Sequence, residues 1–296
     1  MAERGVGEPG AGGRAGDAAR PAPFSVLLPV YAGDDAVAFR RAVRSATVEQ
    51  ELPPDELVVV RDGPVGAALR AALRDLIAPG AASPAGEVPV RVVELARNEG
   101  LACALERGLA ACAHEIVARA DADDISLPGR FATQIPLVAA GLDLLGSAIT
   151  EFDDDEHCLG LTRVLPAEPA EIAATARFRD PFNHPSVVYR RSAVQAAGGY
   201  RHLDLMEDYW LFARMIAAGA RVGNVAEPLV LYRVGAGAYR RRGGWRLLRS
   251  EVALQRRFRA ARFTTRGQFL RNVVVRGGYR LVPERLRKAA YRRMVA

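Results

Sequence analysis

The sequence predicts an α/β fold built around a largely parallel sheet. Three times between residues 24 and 113, a short apolar run of strand length is followed by a segment with helical spacing, and a fourth strand follows at 115–120. The apolar runs are continuous rather than alternating, which is typical of strands covered by helices on both faces. In such sheets, ligands bind beyond the carboxyl ends of the strands.

The elements follow a regular order through the first half of the chain. The first strand is predicted over Phe24–Tyr31, and a helix follows the turn at Gly33-Asp34-Asp35. Two further units pair strand 57–61 with helix 67–77 and strand 89–95 with helix 101–113. The second half is predicted to contain strands at 143–149 and 185–189, helices at 167–177 and around 211–216, and an extended segment at 221–232.

Charge and composition divide the chain into three regions. Residues 1–22 are rich in Gly, Ala and Pro and are expected to form a disordered leader. Residues 23–232 form the predicted α/β domain. Residues 233–296 carry nineteen Lys and Arg against two Glu, in a chain whose formal net charge is +7, and are predicted to form a basic helical extension.

Composition argues against several classes of protein. The N-terminus has acidic residues where a signal peptide needs an apolar stretch, and no apolar run reaches the roughly 18 residues of a membrane span. Cys103, Cys112 and Cys158 lack CxxC spacing, which argues against a disulfide framework or a cysteine zinc site. These features predict a cytoplasmic protein.

Three carboxylates follow the fourth predicted strand, in the motif Asp121-Ala122-Asp123-Asp124. Carboxylates this close repel one another, so a fold tolerates them where a cation or hydrogen-bond donors compensate. Oxygen ligands suit Mg²⁺ or Mn²⁺, which often bridge to phosphate oxygens. The alternative is an Asp-rich turn with a helix cap. The position at the binding edge of the sheet favours a site for a metal-bound diphosphate.

Several ordered motifs resemble those of family 2 glycosyltransferases with the GT-A fold: FSVLLPVY, VVVRDG, NEGLA, ADADD, NHPSVVYRRSAV, GGY and MEDYWLFARM. The resemblance covers residues 24–232. Beyond it, LYRVGAGAYRRRGGW and RNVVVRGGYRLVPERLRKAAYRRM resemble the C-terminal parts of exopolysaccharide and O-antigen glycosyltransferases of the amylovoran-biosynthesis type. The resemblance implies the transfer of sugar, with inversion, from a nucleotide-diphosphate sugar, expected to be UDP-linked, to an acceptor hydroxyl. The motif of processive synthases, with paired Gln, Arg and Trp near the C-terminus, is not evident, so the addition of a single sugar is expected.

On the donor side, the resemblance implies that Pro29, Val30, Tyr31 and Asp62 hold the nucleoside. Tyr31 would stack on the base, and Asp62 would accept a hydrogen bond from a base N–H. The structural alternatives for these two residues are a core aromatic and a β-turn aspartate.

In the acidic motif, the resemblance implies that Asp121 contacts the ribose or the metal and that Asp123 is the clearest ligand of Mn²⁺ or Mg²⁺. Asp124 is expected to cap the following helix. Related enzymes often carry Ala-Arg-Asn in the third helix. This chain has Ala104-Leu105-Glu106 there, so that nucleotide contact is not expected.

On the acceptor side, an inverting transferase needs a carboxylate that takes the proton of the acceptor hydroxyl. The resemblance assigns this base to Asp208, with Glu207 orienting it or contacting the acceptor. It also puts His184, in Asn183-His184-Pro185-Ser186, on the acceptor side. The alternatives are two acids that complement a helix dipole and a structural histidine.

The basic extension contains an apolar stripe at helical spacing, with Arg271, Arg276 and Arg280 largely at its sides. An amphipathic basic helix of this kind binds anionic membrane surfaces. The alternative is that the stripe packs on the domain and the arginines are solvated. The residues of the stripe are Leu270, Val273, Val274, Gly277 and Leu281.

Together these patterns predict a metal-dependent hexosyltransferase, peripheral at the inner face of the plasma membrane. Its expected partners are a nucleotide sugar, a glycan or lipid-linked glycan acceptor and an anionic membrane surface, with no nucleic acid. Two alternatives stay open. A sugar-1-phosphate nucleotidyltransferase would want a Gly-rich loop after the first strand, where residues 29–35 offer one Gly and two acids. A nucleic-acid-binding protein would use the basic extension but leaves the acidic motif unexplained.

Overall fold

The structure is a computed structural model that describes residues 22–78, 83–153, 155–234 and 244–281. The predicted leader, residues 1–22, lies outside these ranges except for Ala22. The described residues form one mixed sheet, helices on both of its faces, and a C-terminal layer of helices.

The sheet has nine strands among the described residues. Eight lie in the order β3-β2-β1-β4-β8-β6-β9-β5, and β7 pairs with β6 beside this path. The strands are β1 (Phe24–Tyr31), β2 (Glu56–Asp62), β3 (Val90–Glu94), β4 (Ile116–Arg119), β5 (Ile125–Ser126), β6 (Leu144–Phe152), β7 (Leu159–Arg163), β8 (Val188–Arg190) and β9 (Val222–Arg233).

The predicted parallel arrangement is confirmed for β1 to β4. Strand β1 lies between β2 and β4 and is parallel to both, and β2 is parallel to β3. The second half is mixed, because β8 is antiparallel to both of its neighbours, β4 and β6, whereas β6 and β9 are parallel. The strand expected at 185–189 begins only at Val188, since His184–Ser186 form a 3₁₀ turn that contains Pro185.

Helices cover both faces of the sheet. At the start of the first helix, Asp35 accepts hydrogen bonds from the backbone N–H groups of Val37 and Ala38, which satisfies donors that a helix start leaves free. The helices are α1 (Ala36–Ser45), α2 (Ala67–Ile77), α3 (Leu101–Ala111), α4 (Arg130–Ala139), α5 (Pro169–Thr175), α6 (Arg191–Ala196) and α7 (Glu207–Ala217).

Each face of the sheet has its own apolar core, because successive residues of a strand point to opposite faces. On β1, Val26 and Leu28 belong to the core beneath α1, α2 and α4, whereas Leu27 belongs to the core beneath α3 and α7. Gly108 lets α3 lie close to the sheet, since a Cβ there would collide with the side chains of Leu27 and Val60. With both faces of the sheet covered in the described part of the chain, a ligand can reach the sheet at the strand ends.

The C-terminal layer consists of α8 (Trp245–Ala260), α9 (Arg266–Asn272), a π-helical turn (Val273–Gly277) and α10 (Gly278–Leu281). Its centre is Glu251, whose side chain is fully buried. The carboxylate accepts hydrogen bonds from Arg276 at 2.6 and 3.0 Å and from Arg280 at 3.2 Å. Arg276 also donates to the carbonyl of Phe178 at 3.0 Å. This layer is therefore fastened to the segment that follows α5.

Of the three arginines expected at the sides of the apolar stripe, Arg271 is exposed, but Arg276 and Arg280 are not solvated as the sequence-based alternative supposed. Arg276 and Arg280 turn inward, with side chains only 18% and 16% exposed, because an unpaired carboxylate at the buried Glu251 would be costly. Leu270 and Val274 are each 63% exposed. The π-helical turn adds a residue to the local helical period, so the regular spacing used for the prediction does not hold through it.

Among the described residues, no helix combines the length and the apolar character that a bilayer crossing requires.

We expect Arg276→Ala to lower the free energy of unfolding by about 3 kcal/mol, because it leaves a buried carboxylate with one cation instead of two. Burial alone would raise the pKa of Glu251, but Arg276 and Arg280 lower it below its ordinary value. A carboxyl with a lowered pKa stabilises the fold at neutral pH and loses that effect as the pH falls. The deficit should therefore shrink between about pH 7 and about pH 4 in urea unfolding.

The matched control is Arg266→Ala, which removes an exposed arginine from the same layer. It should stay within about 0.5 kcal/mol of the parent. Equal losses in the two variants would contradict the assigned role of the Glu251 pair.

Candidate functional site

The carboxyl end of β1 presents an exposed aromatic ring. Tyr31 is 49% exposed, and its ring lies against Gly33. This excludes the core-aromatic alternative and leaves a flat face available for stacking. The side chains of Pro29 and Val30, which were also predicted to hold a nucleoside, are buried in the sheet. These two residues can contact a ligand only through their backbone.

Asp62 ends β2 and is buried. Its two carboxylate oxygens accept hydrogen bonds from the backbone N–H groups of Glu99 at 2.7 Å and Gly100 at 2.9 Å. Asp62 therefore fastens the start of α3 to the sheet edge, where Gly100 has a φ of +88° that favours glycine. Each carboxylate oxygen keeps a second lone pair for a further donor.

The acidic loop after β4 is held by a buried cation. Arg119 is the last residue of β4, with a side chain only 3% exposed, and its guanidinium makes two contacts with the carboxylate of Asp121. One oxygen of Asp124 accepts the backbone N–H of Arg233 at 2.8 Å, and the other has no partner among the described residues. The expectation that Asp124 caps the next helix is wrong, because α4 begins at Arg130, after the loop has left the sheet edge.

Asp123 is the open carboxylate of this loop. Its side chain makes no hydrogen bond or ion pair with another of the described residues. Burial and the charge of Asp121 raise its pKa, and burial with both neighbouring acids raises the pKa of Asp124. The charges of Asp123 and Asp121 also act on Asp34, in the turn after β1. Burial, with a smaller effect from these two charges, raises the pKa of Asp34 to about 7.

This concentration of carboxylates fits a divalent cation. Asp121 and Asp123 offer hard oxygen donors, and a cation beside them would relieve the repulsion that raises the pKa values of Asp123 and Asp124. Within the part of the chain that the structure describes, no three His, Cys, Asp or Glu side chains converge to hold a metal by themselves. An ion would therefore need further oxygens from a bound ligand, and a diphosphate can supply them.

A second buried arginine supports the loop from below. Arg130, 1% exposed, donates to the backbone carbonyl of Arg119 at 2.6 Å and to the amide oxygen of Gln134 at 3.2 Å. Burial, reinforced by Arg119, lowers the pKa of Arg130 to about 9. Gln134 in turn donates to the carbonyl of Ser186 at 2.9 Å. This chain of contacts joins the acidic loop to the 3₁₀ turn that contains His184.

The second acidic group lies at the start of α7. One oxygen of Asp208 accepts the backbone N–H of Tyr209 at 2.7 Å, and the other lies 3.5 Å from Nδ1 of His184. Nε2 of His184 lies 3.1 Å from the hydroxyl of Tyr200. Burial and the charge of Arg119 hold the pKa of His184 well below its ordinary value, so the ring is neutral. If Tyr200 donates to Nε2, the ring proton sits on Nδ1 and faces Asp208.

Asp208 shares its surroundings with two other acids. Burial and the charge of Asp208 raise the pKa of Glu207 to about 7, although Glu207 accepts the N–H of Met206 at 3.1 Å. Burial and Asp208 also raise the pKa of Asp180 well above its ordinary value. The pKa of Asp208 itself is raised by burial. Protonation of its neighbours lets one carboxylate of this group keep its charge.

The charge of Arg119 acts on both acidic groups. Arg119 pairs with Asp121, and its charge also offsets part of the rise in the pKa values of Glu207 and Asp208. The charge of Asp121 adds to the rise in the pKa of Asp208. The edge of the sheet therefore brings together the predicted residues of both acidic motifs. His184 lies behind Asp208, with its side chain only 9% exposed.

Sequence inspection missed the residues that hold these groups. Arg119 stands in EIVARA, a charged residue in a buried strand directly before acids, and that contrast was a usable signal for an internal ion pair. Glu106 accepts the backbone N–H of Tyr200. It thus holds the Gly198-Gly199-Tyr200 turn, whose glycines have φ values of +82° and +67°. Glu106, which stands where related enzymes often have Asn, therefore stabilises this turn.

We expect Arg119→Gln to lower the free energy of unfolding by about 3–5 kcal/mol at neutral pH, because it removes the cation from beneath several carboxylates. A carboxyl whose pKa is raised in the folded state is less destabilising when protonated, so stability is lost as the pH rises through that pKa. The deficit should be larger at about pH 8 than at about pH 5, as measured by urea unfolding.

Arg61→Gln is the matched control, since Arg61 pairs with the exposed Glu94 at 3.1 Å. This variant should lose less than about 1 kcal/mol. A pH-independent deficit in Arg119→Gln would show that the carboxylates do not depend on Arg119.

Solved structures share this architecture. A crystal structure of Staphylococcus aureus TarS 1–349 in complex with UDP-GlcNAc has a TM-score of 0.61 at 14% sequence identity and covers 86% of this chain and 72% of that one. A mannosyltransferase from Pyrobaculum calidifontis in complex with GDP-Man and Mn²⁺ has a TM-score of 0.59 at 16% identity and covers 94% of this chain and 78% of that one. The likeness confirms the predicted GT-A fold.

Sequence comparisons give closer relatives. An amylovoran biosynthesis glycosyltransferase of Erwinia amylovora is 38% identical over 235 residues, which are 79% of this chain and 84% of the relative. The UDP-Gal:α-D-GlcNAc-diphosphoundecaprenol β-1,3-galactosyltransferase of Escherichia coli is 30% identical over 274 residues, 92% and 96% of the two chains. Residues 25–196 match the profile of glycosyl transferase family 2. The chain with these two acidic groups is therefore a glycosyltransferase that belongs to family 2.

Proposed function

We propose that this enzyme is a metal-dependent, inverting glycosyltransferase of surface polysaccharide biosynthesis. It moves one sugar from a nucleotide-diphosphate sugar, with UDP as the nucleotide, to a hydroxyl of a lipid-linked glycan. The observation that carries the proposal is the buried Arg119, which pairs with Asp121 of one acidic group and is joined through Arg130 and Gln134 to the turn that places His184 against Asp208 of the other. One group suits a metal-bound diphosphate, and the other contains a carboxylate able to accept a proton.

The donor would bind at the ends of β1, β2 and β4. Tyr31 stacks on the base with its exposed ring, while Pro29 and Val30 contribute backbone groups. Asp62 accepts a base N–H with a remaining lone pair. Asp121 contacts the ribose or the metal. UDP is favoured because the 30% identical relative from Escherichia coli is named for a UDP-linked sugar.

The cation would be held by Asp123 together with Asp121. When bound, Mn²⁺ or Mg²⁺ stabilises the negative charge of the leaving diphosphate as a Lewis acid. Arg119 fixes Asp121 from beneath, and Arg233 fixes the loop from the side by donating to the carbonyl of Asp123 at 3.0 Å. The residues that meet the donor diphosphate are thus positioned before it arrives, which lowers the cost of ordering them.

Asp208 would act as the base. Its carboxylate takes the proton of the acceptor hydroxyl while that oxygen forms a bond to the anomeric carbon. The bond from the same carbon to the diphosphate oxygen breaks on the opposite face, so the configuration inverts. Neutral His184 orients the carboxylate from behind, and Arg119 favours its charged form. Glu207 completes the site by orienting the acceptor.

A lipid-linked acceptor agrees with the exposed apolar residues of the C-terminal layer. Leu270 and Val274 are each 63% exposed, and Val275 is 55% exposed. Burial of such side chains in a membrane interface, together with the positive charge of residues 233–296, would hold the enzyme at an anionic cytoplasmic leaflet. The Escherichia coli relative is named for an acceptor joined to undecaprenol through a diphosphate.

Two substitutions separate donor binding from chemistry. Asp208→Asn should keep Mn²⁺-dependent UDP affinity and lose about 10²- to 10⁴-fold in sugar transfer, because an amide cannot take the proton. Asp123→Asn should instead weaken UDP binding in Mn²⁺ to the level found in EDTA. Calorimetry with UDP and a transfer assay with radiolabelled donor sugar measure the two effects.

The matched control is Asp204→Asn. Asp204 pairs with exposed Arg246 at 3.0 Å and lies outside both acidic groups, so this variant should bind and turn over like the parent. Normal turnover by Asp208→Asn would remove Asp208 from the mechanism, and equal UDP affinity of the parent in EDTA and Mn²⁺ would remove the metal.

The double variant Val274→Asp/Val275→Asp should bind vesicles of phosphatidylcholine and phosphatidylglycerol at least about tenfold more weakly than the parent, since each buried valine contributes about 1.5 kcal/mol or more. Flotation measures this loss. Val37→Asp is the control, because Val37 is 76% exposed but lies on α1. Equal flotation of all three proteins would contradict membrane contact through this face.

A further inference from the structure

A cavity of about 460 Å³ lies among the end of α8, the start of α9 and the segment after α5. Arg177, Arg259, Arg262 and Thr264 are among its walls, and no Asp or Glu of the described residues lines it. It is thus a concave surface of one charge sign. It shares no wall residue with the two acidic groups at Arg119.

The three arginines of this cavity lack anionic partners. Among the described residues, none of their guanidinium groups makes an ion pair or a hydrogen bond, whereas Arg276 in the same layer is paired with Glu251. A helix C-terminus attracts a cation, which is the alternative explanation for each arginine taken singly. It does not explain why cations from two separate segments share one cavity, because like charges repel.

Thr264 gives a second indication of a ligand. It is only 3% exposed, and its hydroxyl has no hydrogen-bond partner among the described residues. A buried polar group without a partner is destabilising, and a ligand oxygen in the cavity would offer one. The neighbouring Arg262 has a φ of +55°, a conformation that arginine rarely adopts. The chain thus retains a strained arginine at a position where glycine is usual.

The cavity is joined to the catalytic carboxylate by a single stretch of chain. At one end of residues 176–184, Arg177 lines the cavity, and its carbonyl accepts Asn272 of α9 at 2.7 Å. At the adjacent residue, the carbonyl of Ala176 accepts the hydroxyl of Tyr209, the neighbour of Asp208, at 2.8 Å. At the other end, His184 lies 3.5 Å from Asp208.

We infer that this cavity binds the diphosphate of the lipid-linked acceptor. The inference rests on the proposed function and names where the acceptor is held. A diphosphate bears several oxygens that guanidinium groups bind in pairs, and the sugar attached to it would extend from the cavity towards Asp208. Leu270 begins the exposed apolar face about 8 Å along α9 from Thr265, so the isoprenoid chain leaves the cavity towards the membrane-facing residues.

Calorimetry of farnesyl diphosphate with the full chain in EDTA tests the inference. Arg259→Gln/Arg262→Gln should weaken this binding by at least about tenfold. Arg256→Gln/Arg266→Gln removes the same charge from exposed positions outside the cavity and should change the affinity by less than about twofold. Thr264→Val should weaken farnesyl diphosphate binding several-fold without lowering the unfolding temperature. A loss of binding in this folded variant cannot be attributed to unfolding of the cavity.

Two results would overturn the inference. One is equal farnesyl diphosphate affinity in the two double variants. The other is that Arg259→Gln/Arg262→Gln, and not the control double variant, no longer floats with phosphatidylcholine–phosphatidylglycerol vesicles but still binds farnesyl diphosphate. That result would identify a phospholipid headgroup as the occupant of the cavity. UDP affinity in Mn²⁺, measured on the same proteins, reports on the proposed function separately, because it depends on the acidic loop and not on the cavity.

Discussion

A buried cation between two groups of carboxylates is the constraint on which the rest of the structure depends. Arg119 lies at the end of a central strand, almost without solvent, and its charge acts on the acidic loop after β4 and on the acids at the start of α7. Without it, the fold would collect acids at one sheet edge with little to offset their repulsion. The core beneath the edge, including the contacts of Arg130 and Gln134, is arranged around holding this arginine in place.

The C-terminal layer also helps to position the acidic group that contains Asp208. Its own buried ion pairs, centred on Glu251, hold Arg276 against the carbonyl of Phe178, and Asn272 holds the carbonyl of Arg177. Both contacts fall on the stretch of chain that leads to His184 and Asp208. A region whose composition suggests only a basic surface therefore also supports the position of the proposed catalytic carboxylate. Its buried arginines, Arg276 and Arg280, are paired with Glu251 and are unavailable to an external anion.

Much of the fold and of the candidate site could be predicted from the sequence, and the elements that were missed have physical reasons for being hard to predict. Continuous valine-rich strands predicted the parallel half of the sheet, because burial on both faces leaves a strong pattern in the residues. The mixed half was harder, since β5 and β8 are two and three residues long, too short to show a period. The acidic motifs were visible because clustered charge is conspicuous. Glu106 was missed because its partner, the backbone N–H of Tyr200, is distant in the chain and leaves no local pattern. The pairing of Arg119 with Asp121 is local and was overlooked, whereas the effect of Arg119 on Glu207 and Asp208 leaves no pattern near it in the sequence.

Asn272 has a consequence for the range of molecules that this enzyme can glycosylate. It is fully buried and bonds to both Arg177 and Gln255, so α9 is fastened to the catalytic domain through Arg177. Under the proposed function, α9 faces the membrane and Asp208 is the base, so the fold would set the height of the reacting hydroxyl above the bilayer. Such an enzyme would select an acceptor by the number of sugars between the lipid and that hydroxyl, before it contacts the sugars themselves.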